Sequence, residues 1–223
     1  MKISYGITVH NEADELNKLL EILIHKTQLQ DEIIICDDFS DEPTQEVITS
    51  WVQQYGSDDV DKKKDIIVYQ RKLDGNFSAQ KNSVIENSSG DYIFHIDADE
   101  YPHETLLQQL KEIITMNDVD LIWIPRVNTV EGMKEEHIQK WGWRVSENNW
   151  VNYPDYQARV FRNDEKIRWT RPLHEVITGC KTYSHLPPYE ELSLYHPKTI
   201  QKQEQQNMFY MNNFDRSLLV REN

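Results

Sequence analysis

The chain opens on Ile3-Ser4-Tyr5-Gly6-Ile7-Thr8-Val9, an apolar run of strand-like composition, and then changes period. Leu16, Leu19, Leu20, Leu23 and Ile24 recur at helical spacing and predict a helix over 12–25. Asn11 suits its N-cap, and Glu12, Asp14 and Glu15 suit the positive end of its dipole. The alternation then repeats. Residues 32–36 are almost wholly apolar, as a strand buried on both faces should be. Val47, Ile48, Trp51, Val52 and Tyr55 mark the inner face of a helix over 43–55 that starts near Pro43. A charged stretch at 56–64 leads to a strand over 65–70 and a helix over 76–87 closed by Ser88-Ser89-Gly90. A strand over 91–96, a helix over 103–116 and a strand over 120–124 follow. Strands alternating with helices through short connections predict an α/β fold, with a mostly parallel central sheet and helices on both faces.

Beyond Pro125 the pattern changes. Trp141, Trp143, Trp150 and Tyr153 fall among polar residues without a clean period. Residues 157–162 and 166–170 suggest a short antiparallel pair around the turn residues Asn163-Asp164, and 191–195 a last strand. Residues 199–219 look helical but very polar, so this helix is expected at the surface or facing a partner, including a second copy of the chain. The economical reading is one domain over 1–223. Its first part, 1–125, carries the sheet; 126–198 is a smaller antiparallel, loop-rich part; 199–223 is a C-terminal helix.

Composition matters mainly for what it excludes. With 38 % hydrophobic and 28 % charged residues the chain is globular, and its formal net charge of −14 argues against nonspecific binding to nucleic acid or to an anionic membrane. An acidic chain can still hold a divalent cation that bridges to phosphate. Two cysteines, Cys36 and Cys180, do not suggest a disulfide framework. No signal-peptide pattern precedes the first strand, and no apolar run approaches the ~20 residues that cross a bilayer. These features predict a cytoplasmic protein without a transmembrane segment.

The strongest chemical signal is His95-Ile96-Asp97-Ala98-Asp99-Glu100, placed where a buried strand runs out. Residues i and i+2 of an extended segment point the same way, so Asp97 and Asp99 are expected to present two carboxylates to one spot, beyond the strand ends where open α/β sheets bind ligands. Hard oxygen ligands there suit Mg²⁺ or Mn²⁺. The bland alternative is a solvated loop that caps the next helix. Polar and acidic residues also close the first strand, at Thr8-Val9-His10-Asn11-Glu12, and the second, at Cys36-Asp37-Asp38-Phe39-Ser40-Asp41. Asp37 or Asp38 can accept hydrogen bonds from a uracil imide or a ribose hydroxyl. Neither G-x-G-x-x-G nor G-x-x-x-x-G-K occurs, so a metal is expected to carry the phosphates, which favours sugar transfer over dinucleotide or ATP chemistry.

These three segments resemble the nucleotide-sugar motifs of family 2 glycosyltransferases, which have the GT-A fold. Gly75-Asn76-Phe77-Ser78-Ala79-Gln80-Lys81-Asn82 resembles the segment before the D-x-D in the subgroup that includes lipopolysaccharide-core glucosyltransferases. The resemblance implies a donor-nucleotide site built from Thr8, Val9, His10, Asn11, Glu12, Asp37, Asp38, Lys81 and Asp97. Base and ribose contacts would come from Thr8, Glu12, Asp37 and Asp38, with Lys81 near the donor. Asp99 would be the principal ligand of Mn²⁺ or Mg²⁺, with Asp97 beside it. It further implies UDP as the nucleotide and inversion at the anomeric carbon. Two positions depart from the pattern: His10 replaces a more usual Tyr or Phe, and Phe39 replaces the usual Gly, which runs against the usual tight turn there.

In the second half, 153–162 and Leu173-His174-Glu175 resemble acceptor-side motifs of the same subgroup. An inverting transferase needs a carboxylate to deprotonate the acceptor hydroxyl, and Glu175 is the candidate; the alternative is a surface Glu paired with Arg171. His196 is similar to the late histidine that completes the metal shell in many GT-A enzymes, with His174 a competitor. Asp155 and Arg159 are assigned to the acceptor or diphosphate side. Trp143, with its neighbouring tryptophans, suits a sugar-stacking platform or a small core. The expected activity is therefore metal-dependent sugar transfer from a UDP-sugar to a saccharide or other hydroxyl acceptor. The alternatives are a nucleotidyltransferase and a non-catalytic domain that binds sugar nucleotides or glycans.

Overall fold

A computed structural model describes residues 1–56 and 64–214. Most of the charged stretch at 56–64 and the end of the C-terminal helix expected over 199–219 lie outside the described residues. The elements follow in the order β1 (Ile3–Val9), α1 (Ala13–Lys26), β2 (Glu32–Asp37), α2 (Glu42–Tyr55), β3 (Asp65–Gln70), α3 (Phe77–Glu86), β4 (Tyr92–Asp97), β5 (Tyr101–Pro102) and α4 (Glu104–Asn117). Then come β6 (Leu121–Glu131), α5 (Glu135–Trp141), β7 (Val151–Arg162), β8 (Arg168–Thr170), β9 (Val176–Thr178), β10 (Tyr183–His185), a 3₁₀ turn (Glu190–Leu192), β11 (Leu194–Thr199) and α6 (Ile200–Asn213).

The main sheet has the order β3-β2-β1-β4-β7-β6-β11-β5, with β10 added beside β6. Only β7 and β5 run against their neighbours, so the α/β, mostly parallel architecture expected of a GT-A fold is the one observed. Strand alternation sorts the core into layers. Ile3, Tyr5, Ile7 and Val9 of β1 and Tyr92, Phe94 and Ile96 of β4 share one apolar cluster with the buried leucines of α1 and α4. On the other face, Ile34 and Cys36 meet Val84 of α3, while Ile85, Ile93, Phe161, Ile167 and Trp169 form a separate cluster. Gly6 permits the close approach of α3: a Cβ there would overlap Val84.

Several expectations change. Asn11 is not the N-cap of α1; Glu12 holds that position without a side-chain cap bond, and Asn11 takes a left-handed φ of 55°. The expected pair of 157–162 with 166–170 does not form. β7 instead pairs with β4 and β6, and β8 pairs with β9. Asn163 explains the difference: its backbone N–H donates to Asp91 O and its side-chain amide to Ser88 O and Gly90 O, so the chain is tied to the loop before β4 instead of folding back on β7. β6 continues through Pro125 to Glu131. Proline lacks a ladder donor, but register shifts at Ile122/Trp123 and Arg126/Asn128 interrupt this ladder on both sides of it. The expected strand over 191–195 is replaced by the 3₁₀ turn followed by β11.

Candidate active site

The loops after β1, β2 and β4 meet at one end of the sheet and are stapled together by side chains. Asn11 Oδ1 accepts from Asp41 N at 2.7 Å, Asn11 N donates to Ser40 Oγ at 3.1 Å, and Asp38 N donates to Val9 O at 2.9 Å. Across the neighbouring pair, Ala98 N donates to Thr8 O at 3.3 Å. Val9 is buried and serves this frame, Thr8 is half-buried beside it, and the His10 ring is exposed, its Nδ1 lying 2.8 Å from Asp38 O.

Asp37 and Asp38 have different surroundings. The Asp37 carboxylate is fully buried and accepts from Ser40 N (3.0 Å), Gln45 Nε2 (2.5 Å) and Gln70 Nε2 (2.9 Å). Burial raises its pKa, but these bonds outweigh burial and hold it below the ordinary carboxylate value. Asp37 thus shapes the loop and has no open edge for a nucleotide. Asp38 has one oxygen on Leu73 N at 2.8 Å, while the other lies 3.7 Å from His10 Nδ1.

The two carboxylates of the D-x-D meet different partners. β4 ends at Asp97, and a turn closed by Glu100 N donating to Asp97 O at 2.9 Å breaks the extended geometry on which i, i+2 alignment depends. Asp97 faces Arg159 Nη2 (2.5 Å), His95 Nε2 (3.3 Å) and Lys81 Nζ (3.8 Å). Burial raises its pKa, yet Arg159 and Lys81 hold the carboxyl well below the usual range. Asp99 faces His196 Nε2 (3.3 Å), Lys202 Nζ (3.7 Å) and Lys198 Nζ (3.9 Å), and these groups overcome burial in the same sense.

A divalent cation suits Asp99 and His196. His196 Nδ1 lies 2.7 Å from Asn128 Oδ1, which orients the ring so that Nε2 faces Asp99 Oδ2 at 3.3 Å. Adjacent ligands in a six-coordinate Mg²⁺ or Mn²⁺ shell lie about 3 Å apart, close to this separation. Among the described residues no group of three or more His, Cys, Asp and Glu side chains converges, so the remaining positions would fall to substrate oxygens and water.

Behind the site is a buried ionic layer. Glu100 accepts from Arg126 Nη1 at 2.7 Å and Arg159 Nη2 at 2.6 Å, and Asp155 takes a two-pronged contact from Arg126 at 2.6 and 3.0 Å as well as Asn128 Nδ2 at 2.9 Å. Arg159 and Asp155, expected on the acceptor or diphosphate side, therefore lie in the support beneath Asp97 and Asn128.

Glu175 reaches the site because α3 grips the segment that carries it. Asn82 donates to Trp169 O and accepts from Trp169 N, each at 2.8 Å, and Phe77 N donates to Pro172 O at 2.9 Å. Glu175 Oε1 then lies 3.4 Å from Lys81 Nζ, itself 4.8 Å above the Trp169 ring. His174, with a φ of 53°, turns the chain just before it. Trp143, half-buried just after α5, packs at a tilt against Trp141, with ring centroids 4.7 Å apart.

Helix α6 closes the arrangement. The Lys202 ammonium sits 2.9 Å from Glu12 and 3.0 Å from Glu15. Burial first, and then the charge of Asp99, raise the Glu12 carboxyl to about 7. At the far end, Phe214 stacks on Phe77 at 5.9 Å, and burial with the charges of Glu175, Asp97 and Asp99 pushes Tyr210 up to about 12. The helix expected to face a partner thus packs one side on this chain's own site, while Met208, Phe209 and Met211 are exposed. Sequence reasoning missed Lys198, Lys202 and Tyr210. A signal existed: two lysines four residues apart, directly after His196-Pro197.

A family model described as glycosyl transferase family 2 matches residues 4–187. The poly(ribitol-phosphate) beta-glucosyltransferase of Bacillus spizizenii is 29 % identical over 104 residues, covering 45 % of this chain and 15 % of that protein. The SPbeta prophage-derived glycosyltransferase SunS of Bacillus subtilis is 24 % identical over 200 residues, covering 87 % of this chain and 39 % of that one. Among solved structures, Staphylococcus aureus TarS 1–349 in complex with UDP-GlcNAc superposes with a TM-score of 0.62 at 16 % identity, over 89 % of this chain and 59 % of that chain. The chain therefore spans well under half the length of these curated relatives. No helix among the described residues is long and apolar enough to cross a membrane.

Proposed function

The chain belongs to glycosyl transferase family 2, and from that premise we propose that it moves a sugar from a UDP-sugar to a hydroxyl acceptor by metal-assisted single displacement. One observation carries this reading. Asp99 and His196, Lys81 and Glu175, and Lys198 and Lys202 gather past the end of β4, against β11 and the start of α6 and beside the interlocked loops of β1 and β2. UDP as the nucleotide is supported by the structural neighbour solved with UDP-GlcNAc. Within the family, the Gly75–Asn82 and Leu173–Glu175 segments support a place near the lipopolysaccharide-core glucosyltransferases. Free Cys36 and Cys180 support a reducing compartment such as the cytoplasm.

Asp99 and His196 would hold Mg²⁺ or Mn²⁺, which supplies charge neutralisation to the donor diphosphate. Lys81, Lys198 and Lys202 add positive charge on the side where the leaving diphosphate collects negative charge. Arg159 and Glu100 fix the end of β4 from behind. The Glu175 carboxylate takes the proton of the acceptor hydroxyl as its oxygen attacks the anomeric carbon, and the bond from that carbon to the diphosphate breaks on the opposite face, which inverts the centre. Asp38 and His10 line the place for base and ribose.

The test is UDP release from UDP-glucose and UDP-GlcNAc with MnCl₂, with and without EDTA. Release that EDTA suppresses is the expected result. Pyrophosphate release from a nucleoside triphosphate would instead identify a nucleotidyltransferase, and binding without any release a non-catalytic domain.

A further inference from the structure

Phe39 combines features that folding does not call for. Its φ is +49°, in the left-handed region where a bulky side chain crowds its own backbone and glycine is at ease. Its side chain is 58 % exposed, so burial does not offset the strain. It also stands where the resembled motif carries glycine. The turn itself is set by other groups: Asp37 Oδ1 accepts from Ser40 N, Ser40 Oγ from Asn11 N, and Asn11 Oδ1 from Asp41 N. Glycine would complete that turn without strain. A strained, exposed aromatic in a site loop points to a contact made with ligand.

Its position says which part of the ligand. The His10 ring, 57 % exposed, contacts the backbone of the residue just before Phe39, so both rings belong to the adjoining loops of β1 and β2. The cations and carboxylates suited to a diphosphate come from α3, β4, β11 and α6, toward the other side of β1. Two aromatic rings beside the Asp38 carboxylate suit a planar heterocycle with N–H donors. We propose that Phe39 is a base-contacting residue, its ring packed on the face of the donor's uracil, so that nucleotide affinity is gained against fold stability. The inference rests on the donor reading above.

Calorimetry with UDP plus MnCl₂, with pyrophosphate plus MnCl₂ as a control for the phosphate end, tests it together with thermal unfolding. Phe39→Gly is expected to raise Tm by about 2–4 °C through release of backbone strain. It should weaken UDP at least about fivefold, the scale of one base–aromatic stack, and leave pyrophosphate unchanged. Phe39→Trp should keep UDP affinity within about twofold, and Phe39→Leu should lose affinity without a gain in Tm. Wild-type UDP affinity in Phe39→Gly, an equal loss for pyrophosphate, or a fall in Tm overturns the proposal. A wild-type protein that binds no UDP removes the donor reading and this proposal with it, which separates that failure from the others.

Discussion

At the N-terminal ends of β1 and β2, Asp31 and Glu32 are each 1 % exposed and closely bonded. Glu32 accepts from Ser4 Oγ (2.5 Å), Ser89 N (2.5 Å), Ser89 Oγ (2.7 Å) and Lys2 Nζ (2.5 Å); Asp31 accepts from Ile3 N (2.9 Å) and Lys111 Nζ (2.7 Å). At the C-terminal ends of the same sheet, close pairs such as Arg159 with Asp97 at 2.5 Å and Lys202 with Glu12 at 2.9 Å stand beside wider gaps. Lys81 is 3.4 Å from Glu175 and 3.8 Å from Asp97, and Lys198 is 3.9 Å from Asp99. Here too the fully buried His95 ring has its Nε2 3.3 Å from Asp97 Oδ1, and Asn11, Phe39 and His174 hold left-handed backbones. One end is a clamp, saturated by its own neighbours. The other mixes close pairs with longer ones and holds left-handed backbone at non-glycine residues, as expected of a site that a ligand completes.

Breaking the upper end, where Asp99 and Glu175 lie, should show first in turnover. Asp99→Asn removes a hard ligand and a charge, so transfer should fall on the order of 10³-fold, and Mn²⁺ affinity measured by calorimetry should fall with it. Near-normal activity at ordinary Mn²⁺ would detach Asp99 from the metal. Glu175→Gln keeps shape and removes the proton acceptor. Transfer should drop about 10²- to 10⁴-fold with UDP affinity nearly unchanged. If donor affinity collapses as well, Glu175 serves the donor site through Lys81 and is not the base.

Breaking the lower end should do the reverse. The Glu32 carboxyl is held at about 2 in the fold, where burial is outweighed by bonds from Lys2, Ser4 and Ser89, against 4.5 when free. A depressed carboxylate stabilises the fold above the free pKa, and that contribution is lost as pH falls from 4.5 to about 2. Glu32→Gln should therefore lose on the order of 3 kcal/mol at pH 7, and the gap from wild type should close progressively below pH 4.5. Urea unfolding at pH 7 and pH 3 reads this directly. A gap that stays constant with pH would assign the loss to packing instead of charge.

The layers were the legible part of the sequence. The strand-like runs of β1 and β4 and the leucine spacing of α1 depend on local composition and period, which are written in consecutive residues. What was hidden depends on residues far apart. The tie of Asn163 to Gly90, which redirects the chain after β7, is 73 residues long, and the reach of Lys202 to Glu15 is 187. The i, i+2 argument for the D-x-D assumes an extended backbone, whereas β4 stops at Asp97. Glu175 and His196 came from resemblance to motifs. Their placement came from Asn82 and Asn128, side chains that no period marks.

The finest contrast lies between two adjacent residues. Asp37 is enclosed by Ser40, Gln45 and Gln70, whereas Asp38 is 14 % exposed and has one oxygen near the open His10 ring. If the first belongs to the clamp and the second to the site, the same substitution should divide them. Asp37→Asn puts an amide among two amide donors and a backbone N–H, so at least one bond is lost inside the loop. Tm should fall by several degrees, on the scale of about 1–3 kcal/mol for a buried group left unpaired. Asp38→Asn can keep its carbonyl oxygen on Leu73 N and lose only the charge, so Tm should stay within about 2 °C of wild type while UDP binding weakens by about 1 kcal/mol. Calorimetry and thermal unfolding on the two variants decide it. If Asp38→Asn loses stability and binds UDP normally, Asp38 joins Asp37 in holding the loop, and the nucleotide contact at this end falls to His10 and the backbone.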